Sequence, residues 1–222
     1  MLTKSEKSFV FVYFLIVILE LVCSSVVSLY VLHFITKPAI VISLICFLHQ
    51  YANDLDGKTK KITIWALTFS VLGDILLMFV YINQNFFIGG LISFMLAHLM
   101  YIKVFYGKHK FHKKIFNFLG ILLIYVFFLF YILKNNLGNM LLPVILYMAV
   151  ILLMVTMAFL RQGQVNKLSF ILVFLGAITF IISDSLLALN KFYKPLPLAN
   201  ISIMLTYALA QLLIVFGLKK QS

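Results

Sequence analysis

Long unbroken runs of apolar residues constrain the fold of this chain more than any other feature of its sequence. About 20 apolar residues in a helix cross roughly 30 Å of hydrocarbon, whereas strands of a membrane barrel alternate apolar and polar residues over short segments. On this criterion the 222 residues divide into eight predicted spans, separated by turn-forming residues. The predicted spans are 9–31, 38–52, 62–81, 87–107, 115–133, 140–160, 168–190 and 196–218. The sequence therefore predicts an all-α, polytopic membrane helix bundle that forms a single integral membrane domain over residues 1–222.

The composition excludes the soluble alternatives. Hydrophobic residues make up 64% of the chain and charged residues 11%, whereas a soluble domain is about 45–50% apolar and about 25% charged. Polar surface is too scarce to cover a water-soluble globule, so soluble enzymes, secreted disulfide scaffolds and nucleic-acid-binding proteins are excluded. The net charge of +12 comes from basic residues between the apolar runs, where such residues orient a membrane protein.

The basic residues are divided unequally between the two ends of the predicted bundle. If the N terminus faces the cytoplasm, fourteen of the 18 Lys and Arg residues lie on the cytoplasmic side, many of them in the loop 108–114. The opposite side keeps Lys37, Lys134, Lys191 and Lys194. Because cytoplasmic loops of membrane proteins carry the excess of positive charge, this pattern predicts that both termini are cytoplasmic. Residue usage and short loops favour a bacterial inner membrane, and the same topology would suit an endoplasmic reticulum.

Three of the six acidic residues fall inside predicted spans, namely Glu20, Asp74 and Asp184. The other three, in segments predicted to face water, are Glu6, Asp54 and Asp56. A carboxylate at the centre of a span costs about 2.5–3.5 kcal/mol on insertion scales, so such groups face a bundle interior or a wet cavity. The helical rise places Asp74 and Asp184 at one depth, about 10 Å below the non-cytoplasmic surface, on parallel spans, and Glu20 near the midplane. We therefore predict a polar pocket that opens outward, is lined by these carboxylates and is covered by Lys37.

Other polar residues are weaker candidates, because each also has a structural interpretation. His98 near the midplane suits helix packing, and Lys37, predicted at the outer mouth, suits an interfacial anchor. Tyr207 and Gln211 are interpreted first as interhelical hydrogen-bonding residues. A zinc site needs three or four ligands, and the remaining histidines lie near span ends or in the lysine-rich loop: His33, His49, His109 and His112. We therefore expect neither a metal nor another cofactor.

Several segments together resemble a known family. The segments 72–77 (LGDILL), 93–101 (SFMLAHLMY) and 182–192 (ISDSLLALNKF) are similar to the signature segments of the YhhN and TMEM86 lysoplasmalogenase family. The segments 37–38, 143–147 and 207–214 are similar to it too, in the same order. The resemblance implies an eight-span membrane hydrolase, independent of metal, that cleaves the vinyl ether bond of lysoplasmalogens. The products would be a fatty aldehyde and glycerophosphocholine or glycerophosphoethanolamine.

Vinyl ethers open by protonation at carbon, so the implied reaction needs a positioned acid and a nearby negative charge. We predict that Asp74 and Asp184 are the catalytic residues, and the sequence leaves open which of them is the acid. The supporting or substrate-binding candidates are Lys37, His98, Glu20, Tyr101, Ser183, Lys191, Tyr207 and Gln211. Among these, Lys37 or Lys191 would hold the phosphate of a lysophospholipid that enters from the bilayer. The alternative function is a small proton-coupled transporter or lipid-translocating protein, in which Glu20 and the two aspartates form a proton relay.

Overall fold

The computed structural model describes residues 3–52, 54–107 and 114–221, and this part of the chain contains eight long helices and no β-strand. The helices are α1 (Lys4–Ser25), α2 (Tyr30–Tyr51), α3 (Gly57–Met78), α4 (Asn85–Phe105), α5 (Lys114–Leu133), α6 (Leu141–Leu160), α7 (Lys167–Phe192) and α8 (Ala199–Lys219). Each is part of a segment long and apolar enough to cross a membrane. The predicted all-α fold with eight spans is confirmed, and the chain is an integral, multi-pass membrane protein. The predicted turn residue Asn53 and the loop 108–113, with His109, His112 and its lysines, lie outside the described residues.

The predicted boundary between the first two spans is wrong. Helix α1 ends at Ser25, a short turn of 3-10 helix follows at Val27–Leu29, and α2 begins at Tyr30. The prediction placed the start of the second span at Pro38, but this proline lies inside α2, as membrane helices tolerate. Two candidate residues therefore lie at other depths in their helices than predicted, because each residue of shift in a helix end changes the depth by about 1.5 Å. Lys37 lies in the second turn of α2 and not at the outer mouth, and Glu20 lies near the end of α1 and not at the midplane.

The helices that carry the two aspartates begin with side-chain caps. Asp56 Oδ2 accepts a hydrogen bond from the Thr59 backbone N–H at 3.0 Å at the start of α3, and Asn166 Oδ1 accepts one from the Ser169 N–H at 2.8 Å at the start of α7. These caps satisfy amide groups that have no partner within the helix. The hydrogen bonds from the Thr59 backbone and side chain lower the pKa of the exposed Asp56 carboxyl.

The helices α3 and α7 are not principal packing partners. Helix α3 packs mainly against α2 and α4, whereas α7 packs mainly against α6 and α8. Helix α5 lies at the periphery, where it contacts α6 and α7 while most of its side chains are exposed. Any site shared by α3 and α7 is therefore formed across a gap in the bundle and not at a direct helix interface.

Two glycines allow α7 and α8 to approach each other closely. A Cβ atom on Gly176 would lie 3.0 Å from the Ala210 carbonyl oxygen, and one on Gly217 would lie 2.8 Å from the Val173 nitrogen. Small residues at such interfaces let membrane helices pack backbone to backbone. The Ser169 hydroxyl adds a 2.6 Å hydrogen bond to the Gly217 carbonyl. This contact fixes the position of α7, which carries Asp184, relative to α8.

The two chain ends meet at one end of the bundle through Glu6. Its carboxylate is buried and accepts hydrogen bonds from Lys219 Nζ at 2.5 Å and from Lys220 Nζ at 3.0 Å. The expectation that Glu6 faces water is therefore wrong. Burying a carboxylate is unfavourable unless it is paired, and these two lysines provide the pairing. The opposite end of the bundle, with the loops after α3 and α7, is hereafter called the remote end.

We expect the substitution Glu6→Gln to destabilise the protein, because it removes the charge that pairs with two lysines. Breaking a buried pair costs about 3–5 kcal/mol, and partial exposure reduces that value, so a loss of roughly 1–3 kcal/mol is expected. Both lysines retain some exposure. Thermal unfolding of the purified protein in detergent measures the effect, and Lys7→Gln, at an exposed lysine of the same helix, is the control. Equal melting of Glu6→Gln and wild type would show that these pairs do not hold the chain ends together.

Candidate active site

A polar cavity of about 340 Å³ lies in the remote half of the bundle. Asp74 of α3 and Asp184 of α7 both line it, together with Glu20 of α1 and Lys37 of α2. Its other polar lining residues are Ser24, Tyr30, His33, Tyr81, Ser183, Asn190, Asn200 and Tyr207. All three intramembrane carboxylates therefore border one space, although they come from three different helices. Their catalytic role stays a prediction.

Asp74 is almost fully buried and is bound by a tyrosine. The Tyr207 hydroxyl of α8 donates a 2.7 Å hydrogen bond to Asp74 Oδ2. One turn away, Gln211 Nε2 donates to Ser70 Oγ at 3.0 Å, and Gln211 Oε1 accepts from the Tyr101 hydroxyl at 2.6 Å. Residues four apart share a helix face, so both layers join α3 to α8. Gln211 and Tyr101 thus form interhelical hydrogen bonds below the cavity, whereas Tyr207 reaches the carboxylate itself.

Asp184 is held by a second tyrosine and contacts His98. The Tyr147 hydroxyl donates a 2.5 Å hydrogen bond to Asp184 Oδ2, and His98 Nε2 lies 2.9 Å from the Tyr147 hydroxyl oxygen and 3.4 Å from Oδ2. A protonated His98 Nε2 can donate a hydrogen bond to either oxygen. The buried Nδ1 atom has no hydrogen-bond partner. His98 therefore lies beside one of the two candidate carboxylates.

Glu20 is bound by two residues of α2. Its carboxylate accepts hydrogen bonds from His33 Nδ1 at 2.6 Å and from the Thr36 hydroxyl. Glu20 therefore has both an imidazole and a hydroxyl partner on the neighbouring helix. His33 and Thr36 are not among the predicted site residues, because both lie before the predicted start of the second span at Pro38. Their spacing of three residues puts both on one helical face, which is evident once α2 begins at Tyr30.

The remaining candidates occupy different places. Lys37 is half-buried and lines the cavity. Ser183 also lines it, but its hydroxyl donates at 3.0 Å to a backbone carbonyl of α8. Lys191 is exposed and stands over the Phe87 ring, 5.4 Å from the ring centre. It does not line the cavity, so the prediction that it reaches the substrate phosphate is not supported. The neighbouring Asn190 lines the cavity instead.

A second, narrow cavity of about 60 Å³ adjoins the first. It lies between α3, α4, α5, α6 and α7, and we call it the apolar chamber. Its lining residues are Leu77, Phe87, Leu91, Phe94, Tyr125, Val126, Leu129, Leu133, Val144, Tyr147, Met148, Ile151, Ile181, Asp184, Ser185, Leu187, Ala188 and Phe192. Asp184 borders both cavities, whereas Asp74 lines only the polar one.

Metal ligands do not cluster in the described parts of the chain. Among residues 3–52, 54–107 and 114–221, no group of three His, Cys, Asp or Glu side chains is placed to hold a metal ion. The expected independence from metal stays a prediction.

Comparison with known proteins identifies the family. The family model described as the YhhN family matches residues 32–218, which include both aspartates. The chain belongs to the YhhN family. This YhhN-family chain is 31% identical over 153 residues to human lysoplasmalogenase TMEM86B, covering 67% of this chain and 59% of the relative. It is 32% identical over 153 residues to bovine lysoplasmalogenase TMEM86A, covering 67% of this chain and 61% of the relative. The chain spans about three fifths of the length of these relatives, and no solved structure matches it significantly.

Proposed function

We propose that the protein is a membrane hydrolase that cleaves the vinyl ether bond of lysoplasmalogens and releases a fatty aldehyde. The observation that carries this proposal is that Asp74 and Asp184, from separate helices, line one cavity inside the membrane-spanning bundle. The names of the two relatives, both lysoplasmalogenases, support the same activity. The neighbouring apolar chamber also suits an amphiphilic substrate.

The two carboxyl groups provide what the reaction requires. One carboxylic acid transfers its proton to the β-carbon of the vinyl ether, where the C=C electron pair forms the new C–H bond and leaves an oxocarbenium ion. The other group, as a carboxylate, stabilises this cation and takes a proton from the attacking water, which gives a hemiacetal. The hemiacetal C–O bond then breaks. The leaving oxygen takes that proton back, and the hemiacetal hydroxyl proton restores the first acid.

The charges that line the polar cavity suit a lysophospholipid. Glu20 and the two aspartates make the cavity wall acidic, which favours a developing cation. Lys37 lines the same wall, and an ammonium group there would bind the phosphate of the substrate. In this proposal the glycerophosphate part occupies the polar cavity and the hydrocarbon chain points into apolar surroundings. The lipid enters from the bilayer.

We also propose that both termini face the cytoplasm of a bacterial cell whose inner membrane holds the protein. The unequal distribution of Lys and Arg residues supports this orientation. The contact of Glu6 with Lys219 and Lys220 places both chain ends at one end of the bundle. The polar cavity, at the remote end, would then open to the outer side of the membrane.

A panel of lysolipids tests the activity. We expect the purified protein in detergent to release aldehyde from a lysolipid with an alkenyl chain, and none from matched lipids with alkyl or acyl chains. In D₂O the aldehyde, trapped at once by reduction, should carry one deuterium on the carbon next to the carbonyl, because that carbon receives the catalytic proton. Release in detergent, without a sealed compartment, also separates this function from a proton-coupled transporter. Absence of aldehyde, or equal cleavage of the acyl lipid, would contradict the proposal.

A further inference from the structure

We propose that the apolar chamber holds the first part of the substrate's hydrocarbon chain, and that Asp184 protonates the vinyl ether where that chain begins. This inference rests on the proposed function and extends it to a second binding subsite. The chamber is narrow, about 60 Å³, so it takes a section of the chain and leaves the remainder to contact lipid.

The chamber wall is chemically suited to hydrocarbon. Most of its lining residues are aliphatic or aromatic, and its polar groups are hydrogen-bonded to one another or to backbone. The Tyr125 hydroxyl donates to Ser185 Oγ at 2.7 Å, and Ser185 Oγ donates to the Ile181 carbonyl at 2.7 Å. Cavities with apolar walls bind apolar molecules and are not filled by water. A hydrocarbon chain therefore fits this chamber better than a head group does.

The boundary between the two cavities indicates where the scissile bond of the substrate lies. Four residues border both of them, namely Leu77, Phe94, Asp184 and Leu187. The vinyl ether of a lysolipid lies at the boundary between its polar and apolar parts, so a substrate that occupies both cavities has this bond beside Asp184. The carbon that accepts the proton belongs to the chain and lies on the chamber side. Asp184 is therefore the acid, and Asp74, which lines the polar cavity alone, faces the oxygen side, the cation and the attacking water.

Helix α5 forms the peripheral wall of the chamber. It contributes Tyr125, Val126, Leu129 and Leu133 to the wall, while most of its other side chains are exposed. The chamber thus lies beside a peripheral helix with an exposed apolar face. This position suits a ligand that comes from the membrane.

Filling the chamber tests the inference. Ala188 of α7 lines the chamber, and Ala188→Phe places a ring there. We expect kcat/KM for a long-chain alkenyl lysolipid to fall at least about tenfold, since small changes in apolar pockets have effects of this size. For an analogue with an ethenyl group in place of the long chain, Ala188→Phe and wild type should have the same kcat/KM. Ala149→Phe, at an exposed alanine of α6, is the matched control and should leave both substrates unaffected.

A second variant with the opposite effect keeps the test independent of folding. Leu129→Ala on α5 enlarges the chamber, so we expect the preference for a methyl-branched over a straight alkenyl chain to rise several-fold. If Ala188→Phe does not fold, the preference of Leu129→Ala for branched over straight chains tests the chain subsite. Equal loss on long-chain and ethenyl substrates, or no change in either variant, would overturn the chain subsite while wild-type aldehyde release still stands. Failure of wild type to release aldehyde from any vinyl ether would instead reject the proposed function, and this inference with it.

Discussion

Asp74→Asn and Asp184→Asn should each lower kcat for aldehyde release by about 10³-fold, because asparagine keeps the shape of the side chain but neither supplies nor accepts the catalytic proton. Both carboxylates line the same cavity, and each has a distinct task in the proposed reaction. Because the two groups act as a unit, the double variant should be little worse than either single one. Quantification of trapped aldehyde, at a saturating concentration of alkenyl lysolipid in detergent, measures the effect.

Asp54→Asn is the matched control for these two variants. Asp54 is an exposed aspartate between α2 and α3, so its substitution should leave kcat unchanged. Thermal unfolding of each purified variant separates a catalytic loss from a failure to fold. Wild-type turnover by a folded Asp74→Asn protein would refute the mechanism that uses both carboxylates.

The sequence predicted that the two aspartates share a pocket, and both line one cavity. Their matched depth stays a prediction, because α3 ends four residues after Asp74 and α7 ends eight residues after Asp184. Their relation was nevertheless not the one that simple packing suggests. The helices α3 and α7 do not form a main interface, and the two aspartates instead line one cavity between the helices.

The end of α1 was missed, because no glycine, proline or charge marks it. The helix ends at Ser25 and Val26 is extended, within the serine- and valine-rich segment 23–28. Pro38 was the visible signal, and it lies inside α2. The wrong boundary changed the predicted depths of Glu20 and Lys37 within their helices. Both residues still line the same cavity as the aspartates.

The hydrogen-bond partners of the carboxylates required the three-dimensional structure. Tyr147 and Tyr207 are two of 11 tyrosines, and Tyr207 binds a residue 133 positions away in the chain. A tyrosine in an apolar span can pack in the core, lie at the membrane interface or take part in a functional site, and its sequence position does not distinguish these roles. The apolar chamber left no signal at all, because its walls are ordinary membrane-helix residues.

The two halves of the bundle differ in what fills them. In the half near the termini, aromatic rings of three helices stack tightly, with ring centres 4.2 Å apart for Phe9 and Phe47 and 4.9 Å apart for Phe47 and Phe216. The remote half contains the polar cavity and the apolar chamber. Functional groups need a rigid support to hold their geometry. The stacked rings provide such support for α1, α2 and α8, which extend from them to the cavity wall.

Tyr147→Phe and Tyr207→Phe should each lower kcat by about 10- to 100-fold, because each removes the hydrogen bond that orients one carboxylate. In the proposed reaction Asp74 is a carboxylate and Asp184 becomes one as it gives up its proton. A hydrogen bond to a charged group contributes about 1.5–3 kcal/mol, which corresponds to this range of rates. The Tyr147 bond to Asp184 is 2.5 Å long and the Tyr207 bond to Asp74 is 2.7 Å long. Because the hydroxyls position catalytic groups and do not bind the chain, KM should change little.

Tyr13→Phe distinguishes this effect from a general loss of packing. Tyr13 is fully buried, and its hydroxyl donates a 2.8 Å hydrogen bond to the Ala208 carbonyl without lining either cavity. Its substitution should lower the melting temperature and leave kcat near the wild-type value. If all three phenylalanine variants lose turnover in proportion to their loss of stability, the hydroxyls of Tyr147 and Tyr207 hold the fold and do not position the carboxylates. A fall in kcat with KM and melting temperature retained would establish the positioning role.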